Sequence, residues 1–270
     1  MNSGPSYTFF PLGDSAITLD FGNMIDESVN GKIIALFNHL QKNPFTGMIE
    51  ALPAFSSLTI YYDVALVRKM PKEKSAYESV KQKLEDALSN NFETSDIPSR
   101  LIRIPTCYEK EFGPDLATIS AAKKLTVDEI IRLHTTKKYR VYMLGFLPGF
   151  AYLGKVDDMI AMPRLEKPRQ KVAAGSVGIA GKQTGIYPLD SPGGWQIIGR
   201  TPLKLFNASL KPRPTGSSGG ASPASPSASI WRPRAERAFE NSLSLLQPGD
   251  EVQFYSVTKD EYESYQSRHS

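Results

Sequence analysis

A chain of 270 residues, 40% hydrophobic and 22% charged, is long enough for two modest cores and has the make-up of a globular protein. Its net charge of +4, from 32 basic and 28 acidic residues with no Lys/Arg block in any one segment, argues against a nucleic-acid partner. The one cysteine, Cys107, excludes an intramolecular disulfide and fits a reducing cytoplasm, no window approaches the ~18 apolar residues of a membrane span, and MNSGPSYTFFPLG lacks the basic and apolar regions of a secretory signal.

Residues 7–21 read as two short strands around the turn Leu12-Gly13-Asp14. A helix follows from Asp26 to Leu40. Val29, Ile33, Leu36, Phe37 and Leu40 recur at helical spacing on one face, and Asn43-Pro44 ends it. Strands are predicted at Met48–Leu52 and Leu58–Tyr62, and a second amphipathic helix at Ser75–Leu88. The order ββαββα predicts a small α+β sandwich over residues 1–95, with its helices on one face of an antiparallel sheet. The polar stretch Asn90–Ser99 is the expected boundary.

The pattern then changes. Leu101–Pro105 reads as a strand and Pro114–Lys124 as helical. Thr126 opens a further helix, with Glu129 three residues on completing a capping box and Val127, Ile130, Ile131 and His134 on its inner face. Tyr139–Leu144 is a strand that leads into a glycine- and proline-rich run of short β segments, the pattern of a barrel or sandwich over residues 96–270. Within it, residues 208–241 are rich in Ser, Pro, Gly and Ala and are read as a flexible insertion. Leu245–Phe254 is a turn and a closing strand, and the charged tail from Lys259 is helical or frayed.

Candidate chemistry concentrates between Tyr142 and Phe206. Arg164 and Arg169, in PRLEKPR, can be read as a bidentate clamp for a carboxylate or phosphate, or as a solvated turn paired with Glu166 or Asp158. The run Gly175–Thr184 resembles a phosphate loop but has its glycines at the wrong spacing, Gln183 where Ser or Thr belongs, and no helix after it, so a nucleotide P-loop is rejected. Ser191-Pro192-Gly193-Gly194-Trp195 is either a structural turn with a core tryptophan or a pocket wall. His134 is either a packed histidine at a helix end or a general base with Asp115 as its orienter. His39 and His269 are read as surface residues and Cys107 as a core residue. The chain has no HExxH and no CxxC, so a catalytic metal is not expected.

The ordered motifs GFLPGFAYLG, PRLEKPR, AAGSVGIAGKQTGIYP, SPGGWQIIGRTPLKLF and LLQPGDEVQF resemble the allophanate hydrolase subunit 1 family. That family includes the B component of bacterial 5-oxoprolinase (PxpB) and the sporulation kinase inhibitor KipI. GDSAITLDFG, ALPAFSSLTIYYD and IPTCYEKEFGPDLATIS extend the resemblance over nearly the whole chain. It implies a cyclophilin-like barrel for residues 96–270. It also implies two partners: a second cyclophilin-like protein (the C component, KipA-like) and a third of LamB/YcsF type (the A component). Together they would open 5-oxo-L-proline to L-glutamate with ATP, Mg being the expected counter-ion, and the chain alone would be inactive. Arg164, Arg169 and Lys182 then suit a phosphate clamp, and the glycine turns suit an oxyanion.

The candidate site accordingly has His134, Arg169 and Gln183 as catalytic groups. Asp115, Arg164, Ser176, Lys182, Thr184, Tyr187, Gly193, Gly194 and Trp195 are its substrate or nucleotide contacts. Two other readings stay open: an inhibitor docking on a sensor histidine kinase, and a component of a urea-amide hydrolase. The sequence departs from the family in the length of its 208–241 segment and in Thr106, where valine is usual.

Overall fold

The computed structural model describes residues 7–22, 24–69, 75–89, 99–208 and 243–269. The insertion expected at 208–241 and most of the Asn90–Ser99 boundary therefore lie outside the described residues. The chain divides into two compact units, Met1–Ser99 and Arg100–Ser270.

The first unit carries β1 (Thr8–Pro11), β2 (Ala16–Asp20), α1 (Glu27–Lys42), β3 (Met48–Pro53), β4 (Ser57–Tyr62), α2 (Val64–Val67) and α3 (Ala76–Ser89). Its sheet runs β1-β2-β4-β3, each pair antiparallel. Alternation puts Ile17, Leu19, Leu58 and Ile60 on the buried face, where they pack with Ile33, Leu36 and Leu40 of α1 and Val80 and Leu84 of α3. The start of α1 is set locally, since the Asp26 carboxylate accepts from the Val29 amide at 3.0 Å. The one-turn α2 was not anticipated; Asp63 caps it by accepting from the Leu66 amide.

The second unit carries β5 (Leu101–Cys107), α4 (Leu116–Lys123), α5 (Val127–Thr135), β6 (Lys138–Leu144), β7 (Ala151–Gly154), β8 (Arg169–Val172), β9 (Ser176–Ala180), β10 (Gln183–Ile186), β11 (Ser191–Gly193), β12 (Gln196–Arg200), β13 (Glu251–Val257) and α6 (Lys259–His269). Seven strands close a barrel in the order β10-β7-β6-β13-β5-β12-β9, and β8 and β11 form a separate two-stranded ribbon. Closure depends on β13, which runs parallel to β5 from Glu251 opposite Leu101 to Val257 opposite Cys107. The Arg100 guanidinium donates to both Asp250 oxygens, at 2.8 and 2.5 Å, at the start of that pairing. The same carboxylate accepts from the Gln247 amide, so one buried anion ties the turn to the register. The capping box of Thr126 and Glu129 forms as the sequence predicts. Among the described residues no helix is long and apolar enough to cross a membrane.

Candidate functional site

Strand alternation divides the candidate residues between two sides of the barrel wall. On β9 and β10, Val177, Ile179 and Ile186 belong to the barrel core, so Thr184 points inward with them. Gly178, Ala180, Gln183 and Gly185 point the other way, toward a second cluster built on Phe150, Tyr187 and Trp195.

His134 belongs to the inner side. It is 0% exposed, and Phe254 and Tyr139 flank its ring at centroid distances of 4.5 and 5.3 Å. The Thr184 hydroxyl donates to the Gly178 carbonyl at 3.0 Å, so toward His134 it acts as acceptor from Nε2–H, also at 3.0 Å. Nδ1 then accepts from the Tyr108 hydroxyl at 2.8 Å. Burial without a charged partner pushes the imidazole down to about 3. Both nitrogens are thus engaged in a neutral ring, and the expected base has no free nitrogen facing a ligand. Its expected orienter is elsewhere: Asp115 accepts from Arg169 Nη2 and from the Ile197 amide, each at 2.5 Å.

The outer cluster is organised around Trp195. Gly178 and Gly185 are direct cross-strand partners, and both lie against its side chain. A Cβ on Gly185 would stand 3.0 Å from Trp195 Cζ3, and one on Gly178 would stand 3.1 Å from Trp195 Cβ. The paired glycines therefore make the slot that the indole fills. Phe150 and Tyr152 approach the indole at 5.5 and 6.0 Å. Tyr187 packs edge-on to Phe150, its hydroxyl engages the Trp195 backbone, and burial raises its pKa. Gly193 is needed because the Tyr187 ring occupies the place a side chain would take. Phe146, 64% exposed and edge-on to Phe150, extends the aromatic set to the surface.

The two arginines of PRLEKPR part company. Arg169 is held by Asp115 and donates from Nη1 to the Trp195 carbonyl at 3.2 Å, so its charge is matched within the fold. Arg164 is exposed, with its guanidinium 5.9 Å above the Trp195 ring. Among the described residues it makes no ion pair. The segments beside it are stitched together: the Leu165 amide donates to the Gly194 carbonyl at 2.7 Å, and the Gln196 side-chain amide donates to the Pro163 carbonyl at 3.1 Å. The expected two-armed clamp is therefore one presented guanidinium and one structural one.

The turns at Gly175 and Gly181 have their amides turned inward. The amides of Gly175, Ser176 and Gly181 donate to the carbonyls of Tyr187, Ala173 and Met162. Lys182 is paired with Asp158 at 2.8 Å, which lowers the Asp158 pKa through that hydrogen bond and charge. Ser176 is buried in β9, and Gln183 is half-buried at the start of β10. Cys107 is buried, which raises its pKa. Among the described residues no three His, Cys, Asp or Glu side chains gather where they could hold a metal ion. Sequence reasoning missed Gln196, Phe150 and Tyr152. Their signal was available: Phe150 and Tyr152 alternate in GFAYLG, and Gln196 follows the tryptophan it helps to place.

The family model for the carboxyltransferase domain, subdomain C and D, matches residues 7–215. The chain is 42% identical to the B component of 5-oxoprolinase from Bacillus subtilis (strain 168), over 96% of each protein. It is 36% identical to the B component of 5-oxoprolinase from Escherichia coli O157:H7, over 73% of this chain and 85% of that one. The solved structure of the protein TTHA0988 superposes with a TM-score of 0.67 at 28% identity, covering 90% of this chain. This chain spans 40% of that larger one.

Proposed function

The chain belongs to the family of the carboxyltransferase domain, subdomain C and D, alongside the B component of 5-oxoprolinase, and on that premise we propose that it is the B component of a 5-oxoprolinase complex. The complex hydrolyses the lactam of 5-oxo-L-proline to L-glutamate. The observation that carries this reading is the 42% identity running through 96% of both chains. Amide resonance stabilises the lactam, so coupling to ATP, with Mg as counter-ion, belongs to the proposal. Two features favour placing the triphosphate elsewhere: the amides of Gly175, Ser176 and Gly181 are bonded within the chain, and Lys182 and Arg169 pair with Asp158 and Asp115. The nucleotide is accordingly assigned to another component of the complex.

In this reading the chain binds and orients. Arg164 on Trp195 supplies a presented cation, Gly194 holds the neighbouring Leu165 amide, Gly193 makes room for the Tyr187 ring, and the Asp115–Arg169 pair fixes β8 to β12. The chemistry is completed by a second cyclophilin-like protein and a third component, and the chain alone is inactive. Co-expression with those two proteins tests this directly. The complete set should release glutamate from 5-oxo-L-proline only when ATP is present, and the isolated chain should release none. A complete, assembled set that leaves the lactam intact in the presence of ATP sinks the proposal.

A further inference from the structure

We propose that Arg164 is the carboxylate-binding group of this chain, that Gln196 and Arg169 are the positioning residues that set it, and that its ligand is a small ring bearing one carboxylate. The kinetic arm of the test rests on the lactam-opening function proposed above; the binding arm does not.

Three observations carry the inference. Arginines on the same unit that meet carboxylates are consumed by them: Arg100 by Asp250 and Arg169 by Asp115. Arg164 is exposed, meets no carboxylate among the described residues, and lies over an indole. A guanidinium covered on one face by an aromatic ring keeps its in-plane N–H donors free, and that planar fork matches the two oxygens of a carboxylate. Second, the position is built. Pro163 and Leu165, on either side of Arg164, are hydrogen-bonded to Gln196 and Gly194, on either side of Trp195. The Trp195 carbonyl is held in turn by Arg169, itself held by Asp115. A cation fixed in this way loses less freedom on binding than a solvated one. Gln196 is buried, and its Oε1 has no partner among the described residues, so its contribution runs through the Nε2 donor to Pro163.

Third, the surroundings select the ligand. One guanidinium balances one carboxylate, whereas a polyphosphate needs several cations or free amides, and Lys182 and the amides of Gly175, Ser176 and Gly181 are already engaged. Part-buried Tyr152 and exposed Phe146, both packed on Phe150, give a compact apolar ring something to pack against.

The assembled complex is titrated without ATP, then assayed with ATP, using 5-oxo-L-proline and the carboxylate-free lactam 2-pyrrolidinone as paired probes. The wild type should prefer the carboxylate-bearing ring. Arg164→Ala should erase about 10- to 100-fold of that preference, the range of a lost charge-assisted hydrogen bond. Arg164→Lys should restore part of it, keeping the charge without the fork. Gln196→Leu should lower the preference by raising KM for 5-oxo-L-proline while kcat holds, a split that general loss of folded protein would not produce. Wild-type preference in Arg164→Ala overturns the assignment, and wild-type KM in Gln196→Leu overturns the positioning role. Selective binding without turnover upholds the carboxylate site and sinks the lactam-opening function instead.

Discussion

Acidification should weaken the second unit through one buried side chain. His134 is neutral, fully enclosed and hydrogen-bonded at both nitrogens, and burial pushes its pKa down to about 3. In the unfolded chain the same imidazole titrates near ~6.5. Below that value the unfolded state binds a proton that the folded state refuses, so stability is fully present above pH ~6.5 and is lost as pH falls toward the folded value. Each pH unit inside the window is worth about 1.4 kcal/mol. Between pH 7.5 and 5.0 about 1.5 units fall inside it, a loss of about 2 kcal/mol from this residue alone. The assay is urea unfolding at both pH values, followed by tryptophan fluorescence. Trp195 is buried in the second unit, so its signal reports that unit. His134→Gln serves as the comparison, because other titrating groups cancel in the difference. The variant should be less stable at pH 7.5 but should lose about 2 kcal/mol less than the wild type on moving to pH 5.0. Equal losses in the two proteins refute the argument.

Asp115→Asn should destabilise the second unit by about 1–3 kcal/mol, less than a fully buried pair would lose because the Arg169 side chain is 30% exposed. The measurement is the urea midpoint at constant slope; no change would mean that the carboxylate does not hold β8 to β12. Gly185→Ala places a methyl 3.0 Å from both the Ala151 carbonyl oxygen and the Trp195 ring. It should cost about 1–3 kcal/mol by overpacking and should alter the near-ultraviolet circular dichroism of Trp195. An unchanged spectrum would show that the glycine pair does not form the indole slot.

The comparison of sequence with structure separates by range of interaction. The start of α1 and the capping box of α5 were legible because their determinants lie within three residues of the bonds they make. The one-turn α2 escaped because four residues carry too little periodicity to read. The division of Gln183 from Thr184 was legible in principle, since adjacent strand residues face opposite sides, but it needed the knowledge that β10 is part of a closed wall. The reading of Arg164 and Arg169 as one clamp failed for a different reason. The carboxylate that removes Arg169 from the surface chemistry is 54 residues away, on the approach to α4.

By itself, the sequence determined the family, the mixed α/β character, the capping box of α5 and the glycine-rich stretch on which the candidate site is built. These follow from local chemistry and from the order of motifs along the chain. Only the tertiary structure decided which groups remain free to act. It closed the barrel through the parallel pairing of β13 with β5, buried His134 between Tyr108 and Thr184, neutralised Arg169 with Asp115, and left Arg164 on the Trp195 ring. The physical reason is that a side chain's charge and donors are cancelled or kept by whatever the fold brings beside them, and partners this distant in the chain leave no local pattern to read.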